Sequence, residues 1–360
     1  MFNKIVSLLW STKVALVLLV LIFVSCVAGV ILPDAAGKDL VFHSLWFNLL
    51  LVLLILNIVF CIVTRTHVLR LSQLGATIFH LGLVALCAGV VYDQLFFFEG
   101  AIHLTEGETL NCAEPANYDW AKKGRFFQAP KLQELGELYL HKLHIDYSAD
   151  GKKRGVANEL AVGEDVQTGR MRIIYVTRPL NYKGFEFYRV ENDGYSPLFV
   201  LRDRRGMELH GNYAPLQSIK QKDGTFIYRS GSAAAPGSFN FPQDASLPAV
   251  FKLQAEYHPD KIKKTAGEVS FQVWGIKPGA PEEASEELFK GKAAFGERVK
   301  VGDYFLSMDE VHYWTTINVH YSPGLTLIFG SFWIAFGGLI LTLALKTAGM
   351  RARKARHERK

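Results

Sequence analysis

The chain has 360 residues, of which 49% are hydrophobic and 21% charged, and its formal net charge is +6. Long uncharged runs occupy residues 14–33, 40–64, 71–92 and 311–345, and about 20 apolar residues in a helix cross a hydrocarbon core roughly 30 Å thick. These runs exclude an ordinary soluble enzyme, and four cysteines in a chain of this length exclude a disulfide-stapled secreted domain.

Four transmembrane helices are predicted, at about residues 14–32, 42–63, 71–92 and 325–345. Lys and Arg mark the cytoplasmic side of a membrane protein. The two termini and the loop between the second and third spans together carry +10, against −4 for the remaining segments. Both termini are therefore expected inside a cytoplasmic membrane, with a large domain outside. The positive net charge is therefore explained by the basic cytoplasmic segments of a membrane protein, and no nucleic-acid partner is expected.

Three regions follow from these spans: an N-terminal membrane region over residues 1–92, an extracytoplasmic (periplasmic) domain over 93–318, and a fourth helix with a basic tail over 319–360. The first span continues past Cys26 and is longer than the roughly 7–15 residues of a typical signal-peptide core. It is interpreted as an anchor. Asn57 in the second span is interpreted as a polar bridge between helices.

His80 is the polar residue that stands out in the third span, because it lies near the middle of the bilayer, about 15 Å along the helix. An ionisable side chain at that depth is costly and indicates function by default. Imidazole is also a common ligand of haem iron. A neutral histidine hydrogen-bonded to a neighbouring helix is the alternative, and position alone does not decide between the two.

Gly75, Gly82 and Gly89 recur every seven residues and form a stripe suited to close helix packing. At 100° per residue, His80 lies about 140–180° around the helix from this stripe. If the stripe packs against the chain's own helices, His80 points towards another helix, lipid or a second subunit. Small residues on the His80 face would admit a flat ligand: Ala76, Thr77, Val84 and Cys87.

The outer domain is predicted to be an antiparallel, sandwich-like β domain, inserted between the third and fourth helices. Short alternating runs of β-branched and aromatic residues indicate strands, punctuated by Gly, Pro, Asn and Asp. Predicted strands cover 139–147, 172–177, 185–190, 198–202, 225–229, 250–257, 269–276 and 304–313. Two segments are predicted as surface loops, Ser230–Pro248 and Lys277–Glu287.

No enzyme motif is found in this domain: there is no G-x-S-x-G, no phosphate-binding glycine loop, no H-E-x-x-H and no C-x-x-C. Cys112, the one cysteine of the domain, is interpreted as a small buried hydrophobe rather than a reactive thiol. Four histidines are expected near the outer membrane surface and are ligand candidates by residue type only: His43, His103, His312 and His320.

The chain resembles the ResB family, also called CcsB, of the System II machinery for cytochrome c maturation. The resemblance covers most of the chain and rests on six segments in order: 11–15 with 25–33, 41–47 with Asn57 and Cys61, 80–83 with Gly89, 99–109, 179–188, and 322–324 with Gly330 and Gly337.

The resemblance implies haem handling. In that family this subunit pairs with a ResC (CcsA)-type membrane protein that carries a W-W-D haem loop, and the pair delivers haem to apocytochrome c. The third-span histidine, here His80, would be an axial ligand of haem iron. The six tryptophans of this chain form no W-W-D motif, so it resembles the ResB half alone, a non-catalytic or co-catalytic subunit of a haem–apocytochrome synthase.

Two alternatives stay open. The chain could be a scaffold that only stabilises the partner synthase, with His80 as a packing residue. It could instead be a redox component that keeps apocytochrome thiols reduced through Cys112 or the membrane cysteines, Cys26, Cys61 and Cys87. A hydrolase is a distant third, because no nucleophile and base occur at a catalytic spacing.

Overall fold

A computed structural model describes residues 11–32, 39–65, 73–166, 169–232, 235–242, 249–260, 262–263, 265–276 and 286–357. The chain divides into two compact units. The first comprises Met1–Glu99, Lys122–Gln128 and Tyr321–Lys360, and the second comprises Gly100–Ala121 and Ala129–His320. The first unit is mainly helical, and the second is built almost entirely of β-strands.

Within the described residues of the first unit, four helices are long and apolar enough to cross a membrane. This confirms the predicted number of spans. They are α1 (Thr12–Ile31), α2 (Leu45–Arg65), α3 (Leu74–Phe96) and α5 (Leu325–His357), and α4 denotes the short helix Pro130–Gln133 of the second unit.

The helix ends differ slightly from the predicted bounds. The predicted start of the third span, Leu71, lies outside the described residues. Helix α5 continues to His357, well past the predicted end at 345, because the tail is rich in Ala, Lys and Arg, which favour helix in water as well as in lipid. At the other end of α5, the Gly324 N–H donates to the Asp93 Oδ1 of α3 at 3.0 Å, so an acidic side chain satisfies a donor that the helix start leaves free.

The strands of the outer region come in chain order as follows: β1 (Phe98–Thr105), β2 (Thr109–Asn111), β3 (Trp120–Lys123), β4 (Glu137–Ala149), β5 (Lys152–Gly163), β6 (Arg172–Ile174), β7 (Leu180–Tyr182), β8 (Phe185–Arg202), β9 (Glu208–Tyr213), β10 (Gln217–Lys220), β11 (Phe226–Arg229), β12 (Phe239–Phe241), β13 (Phe251–His258), β14 (Glu268–Gly275), β15 (Glu287–Ala294), β16 (Val299–Val301) and β17 (Tyr304–Tyr321).

These strands form three sheets. The largest has the order β3-β1-β17-β8-β7, the second β10-β11-β13-β14-β15, and the third β2-β4-β5-β6. The two larger sheets share one hydrophobic core, to which β8 and β17 contribute from one side and β13 and β14 from the other. Every second residue of β13 is buried, as expected for a strand with one face in a core. The fold is therefore the predicted antiparallel sandwich-like domain between α3 and α5.

The strand prediction omits several strands, among them β1, β5, β9 and β15, and two further errors are instructive. The segments predicted at 185–190 and 198–202 are one continuous strand, β8. Its polar middle stays in the sheet because β17 supplies partners: Thr315 Oγ1 donates to Asp193 at 2.7 Å, and Asn192 donates to Thr316 Oγ1 at 3.0 Å.

The second error concerns the predicted loops. Within Ser230–Pro248, residues 239–241 form strand β12, which pairs with β13 and buries Phe241. Residues 233–234 and 243–248 of that segment, and 277–285 of the second predicted loop, lie outside the described residues.

Candidate functional site

The glycine stripe of α3 is the contact surface for α5. A Cβ added at Gly82 would lie 2.5 Å from the backbone N of Ala335, and one added at Gly75 would lie 2.5 Å from the backbone N of Thr342. A Cβ added at Gly89 would lie 3.0 Å from Cγ1 of Ile328. The two helix backbones therefore approach closely along the whole stripe, which confirms that it packs against the chain's own last helix.

His80 lies on the side of α3 away from this seam, and its side chain is exposed. Its Nδ1 is 2.6 Å from the backbone oxygen of Ala76. Because a carbonyl oxygen can only accept, Nδ1 carries the proton, and the Nε2 lone pair is left available. No hydrogen bond of Nε2 to another described residue is present. This is the arrangement found in iron and zinc sites, where the second ring nitrogen of a ligating histidine donates to a fixed oxygen.

On the side away from α5, helix α3 shares a hydrophobic cluster with residues of α1 and α2. The α3 members of that apolar cluster run from Leu83 to Val91, and none of the described residues before Leu83 belongs to it. His80 lies one turn before Leu83, outside this cluster, and its side chain is exposed.

The predicted ligand-admitting face of α3 is smaller than expected. Val84 and Cys87 belong to the cluster with α1 and α2; Cys87 is buried and Val84 is half-buried. Helical geometry placed them on the His80 side, but it could not reveal that they pack in that cluster.

Asn57 forms the predicted bridge between helices. Its side chain is buried, and its Nδ2 donates to the backbone oxygen of Ser11 at 3.4 Å. Ser11 is the residue before α1, and its hydroxyl caps that helix by accepting from the Lys13 N–H. The amide therefore ties α2 to the start of α1.

The four histidines predicted near the outer membrane surface fall in different settings. In the first unit, His43 precedes α2, and its ring lies 4.4 Å from that of Phe97, edge to face. In the second unit, His103 and His312 line one cleft of about 620 Å³, together with Glu106 and Glu108. His320 does not line that cleft, and its ring meets that of Tyr188 at 6.3 Å.

Both histidines in the cleft are engaged through both ring nitrogens. His103 Nδ1 pairs with Asp119, and Nε2 lies 3.4 Å from Thr316 Oγ1. His312 Nδ1 donates to the backbone oxygen of Glu106 at 2.9 Å, and Nε2 lies 2.8 Å from Glu310. Among the described residues, no group of three or more His, Cys, Asp or Glu side chains could hold a metal ion.

Electrostatics in this cleft are set by burial and hydrogen bonding. Burial raises the pKa of Glu108, although the Thr105 N–H and the nearby His103 oppose the shift. A hydrogen bond from the Tyr213 hydroxyl is the main cause that lowers the pKa of Glu310.

The cleft was not predicted. The only signal for it was two glutamates two residues apart, close after a histidine in the same segment.

Cys112 is fully buried. Burial raises the pKa of its thiol to about 12, and the nearby Glu137 carboxylate adds to the shift. The thiolate is the nucleophile in cysteine chemistry, so burial of Cys112 disfavours the form of the redox alternative that uses this thiol.

We predict that iodoacetamide leaves Cys112 unmodified in the native chain at pH 8 and alkylates it after denaturation. With a pKa of about 12, the thiolate fraction at pH 8 is roughly one in ten thousand, against about a quarter for a free thiol of pKa about 8.5. Mass spectrometry of the peptide that contains Cys112 measures the modification. Alkylation of native Cys112 at the rate of a free thiol would contradict the prediction.

Comparison with known families gives one match. The ResB-like family model covers residues 70–351, which is most of the chain. The chain belongs to the ResB-like family. No curated protein matches it.

The family assignment confirms the resemblance seen in the sequence. The ResB-like family belongs to cytochrome c biogenesis. In this ResB-like chain the matched region begins just before α3 and includes His80, the glycine stripe, the outer strands and most of α5. Helices α1 and α2 precede the matched region.

Proposed function

We propose that this ResB-like chain is the subunit of a System II maturation complex that holds haem within the membrane through His80 and presents it for attachment to apocytochrome c. The observation that carries the proposal is the state of His80: an exposed imidazole at mid-span, with Nδ1 anchored on Ala76 and Nε2 free to bind a ligand. Membership of a cytochrome c biogenesis family gives that imidazole its chemical context.

A coordinating ligand would relieve the energetic cost of His80 in the membrane. An unpaired ionisable side chain facing lipid is costly, so a coordinating partner would remove an energetic penalty as well as gain a bond. Haem iron takes imidazole nitrogen as a strong axial ligand. Anchoring of Nδ1 on the helix backbone fixes the plane of the ring and directs Nε2 away from α3.

A second axial ligand would come from the partner subunit, a ResC (CcsA)-type membrane protein with a W-W-D loop. The chain has six tryptophans and no such loop, which supports a division of labour between two subunits. The chain then acts as a non-catalytic or co-catalytic half of the synthase.

We further propose that the chain resides in the inner membrane, with both termini cytoplasmic and residues 93–318 in the periplasm. The supporting observation is the charge asymmetry, +10 on the inner segments and −4 on the outer ones, which follows the positive-inside rule.

The test is His80→Gly in the purified two-subunit complex. We expect loss of most of the haem absorbance and its partial return on addition of imidazole, because the small molecule can occupy the space left by the side chain. Leu81→Gly is the matched control. It introduces the same helix-weakening glycine at the next position, where the native side chain is also exposed, and it leaves the imidazole intact.

Full haem absorbance in His80→Gly would overturn the ligand assignment and favour the scaffold alternative. Equal losses in His80→Gly and Leu81→Gly, without recovery in imidazole, would assign the effect to helix stability and would equally overturn it.

A further inference from the structure

Two clefts of the outer unit lie on either side of the Tyr175 side chain. The first, of about 470 Å³, is lined by residues of β6 and β7 and by Tyr147. The second, of about 760 Å³, is lined by residues of β4, β8 and β11, and by Arg154. The Tyr147 ring lies 6.0 Å from that of Tyr175, and the Arg154 guanidinium lies over the same ring at 5.4 Å. The two clefts thus form one continuous surface.

This surface is strongly basic although the domain is not. Residues 93–318 contain 28 Lys and Arg against 31 Asp and Glu, whereas the two clefts are lined by six basic and two acidic side chains. Asp193 and Arg189 pair with each other, which leaves five basic side chains and one acidic side chain, Glu191. Among the described residues that line the first cleft none is acidic, and three are exposed arginines, Arg170, Arg172 and Arg178.

The second cleft adds exposed apolar side chains. Ile145, Val176 and Phe226 are 49%, 56% and 50% exposed, and all three line it. They come from three separate elements: β4, the turn between β6 and β7, and β11. Scattered apolar residues are normal on a surface, but three that converge on one cleft indicate a binding site.

Among the described residues, the first cleft also lies at the edges of two sheets, beside the turn in which Tyr175 and Arg178 bond each other's backbone. Strand β6 is the last strand of the four-stranded sheet and pairs with β5, and β7 is the last strand of its own sheet and pairs with β8. Edge strands accept an added extended segment by backbone hydrogen bonding, with pockets for alternate side chains.

We propose that this surface docks an extended, acidic segment of a partner polypeptide. Carboxylates of the segment bind Arg170, Arg172 and Arg178 through charge-assisted hydrogen bonds. Its apolar side chains, which alternate with the carboxylates along a strand, cover Ile145, Val176 and Phe226. A small inorganic anion could use the arginines but would leave the apolar side chains exposed. The docking surface is independent of any role of His80.

The experiment measures binding of a fluorescein-labelled peptide to the full chain in detergent micelles. In the peptide, glutamate alternates with phenylalanine, valine and leucine, and a second peptide carries lysine in place of glutamate. We expect saturable binding of the acidic peptide only, weakened as salt rises. The triple variant Arg170→Glu, Arg172→Glu, Arg178→Glu should bind at least about tenfold more weakly.

The apolar half of the surface is tested separately with Val176→Asp, expected to weaken binding by a similar factor. The matched controls alter residues in and near the turn after β8. Arg204→Glu with Arg205→Glu controls for the charge changes. Met207→Asp, at a side chain 63% exposed, controls for the apolar change. All altered side chains are exposed, and circular dichroism checks that each variant is folded.

Several outcomes would overturn the proposal: no saturable binding to the wild-type chain, equal binding of the lysine peptide, or equal losses in the control variants. Displacement of the acidic peptide by inorganic phosphate alone, with Val176→Asp without effect, would reduce the surface to a simple anion site and would also overturn it.

Discussion

Gly82→Val is expected to destabilise the membrane unit severely. A Cβ at residue 82 would lie 2.5 Å from the backbone N and 2.7 Å from the Cα of Ala335. Backbone atoms cannot rotate away as a side chain can, so α3 and α5 must separate along their seam. We expect a cost of about 3 kcal/mol or more, the upper part of the range for overpacking a tight contact, because the seam is one continuous surface.

The measurement is the thermal unfolding midpoint and the monodisperse fraction of the full chain in detergent. Gly337→Val is the matched control: it makes the same substitution in an apolar helix, at a position where an added Cβ meets nothing within 4 Å. Equal behaviour of the two variants would show that valine in the helix, rather than closure of the seam, causes the loss.

Trp314→Ala is the second substitution with a large expected effect. Trp314 is fully buried in β17, and its indole N–H donates to the Leu216 backbone oxygen at 2.8 Å. Its ring packs on the backbone of Gly194, where an added Cβ would lie 2.5 Å from the indole nitrogen. Truncation removes a large apolar group and leaves the carbonyl unpaired, for a loss of about 3–5 kcal/mol.

Thermal unfolding of the full chain, followed by the circular dichroism of its β-sheet, measures this loss. Trp120→Ala, at a tryptophan 43% exposed, should shift the midpoint far less. Similar shifts in both variants would contradict the burial argument. Because the His103 ring lies 4.6 Å from that of Trp314, loss of the indole should also loosen the cleft that His103 lines.

The helices could be predicted from the sequence because membrane thickness dictates their length and composition. The glycine seam could also be predicted, since a seven-residue repeat of glycine on one face of a membrane helix has few uses other than close packing. The position of His80 opposite the seam followed from helical geometry alone. What could not be predicted was that Val84 and Cys87 on that side pack in a cluster with α1 and α2, because this depends on tertiary contacts.

The outer domain was predictable in class and only partly in detail. Strands with clean alternation, such as β13 and β14, were located within a residue or two. Strand β5 was missed because Lys152, Lys153 and Arg154 open it and give it the composition of a loop. Strand β8 was split at Asn192 and Asp193, whose partners in β17 are more than 120 residues away in the sequence. Hydrogen bonds between residues so far apart in the chain leave no pattern in the sequence around Asn192 and Asp193.

The seam between α3 and α5 also constrains how the protein is made. Its two halves are separated by the 228 residues that follow Phe96 and precede Leu325. At about 5–20 residues per second, the ribosome adds that stretch in roughly 10–45 s, during which the glycine face of α3 has no α5 to pack against. Helices α1 and α2 are already synthesised by then, and residues of both share a hydrophobic cluster with α3. They can hold α3 in the bilayer until the last helix arrives and closes the seam.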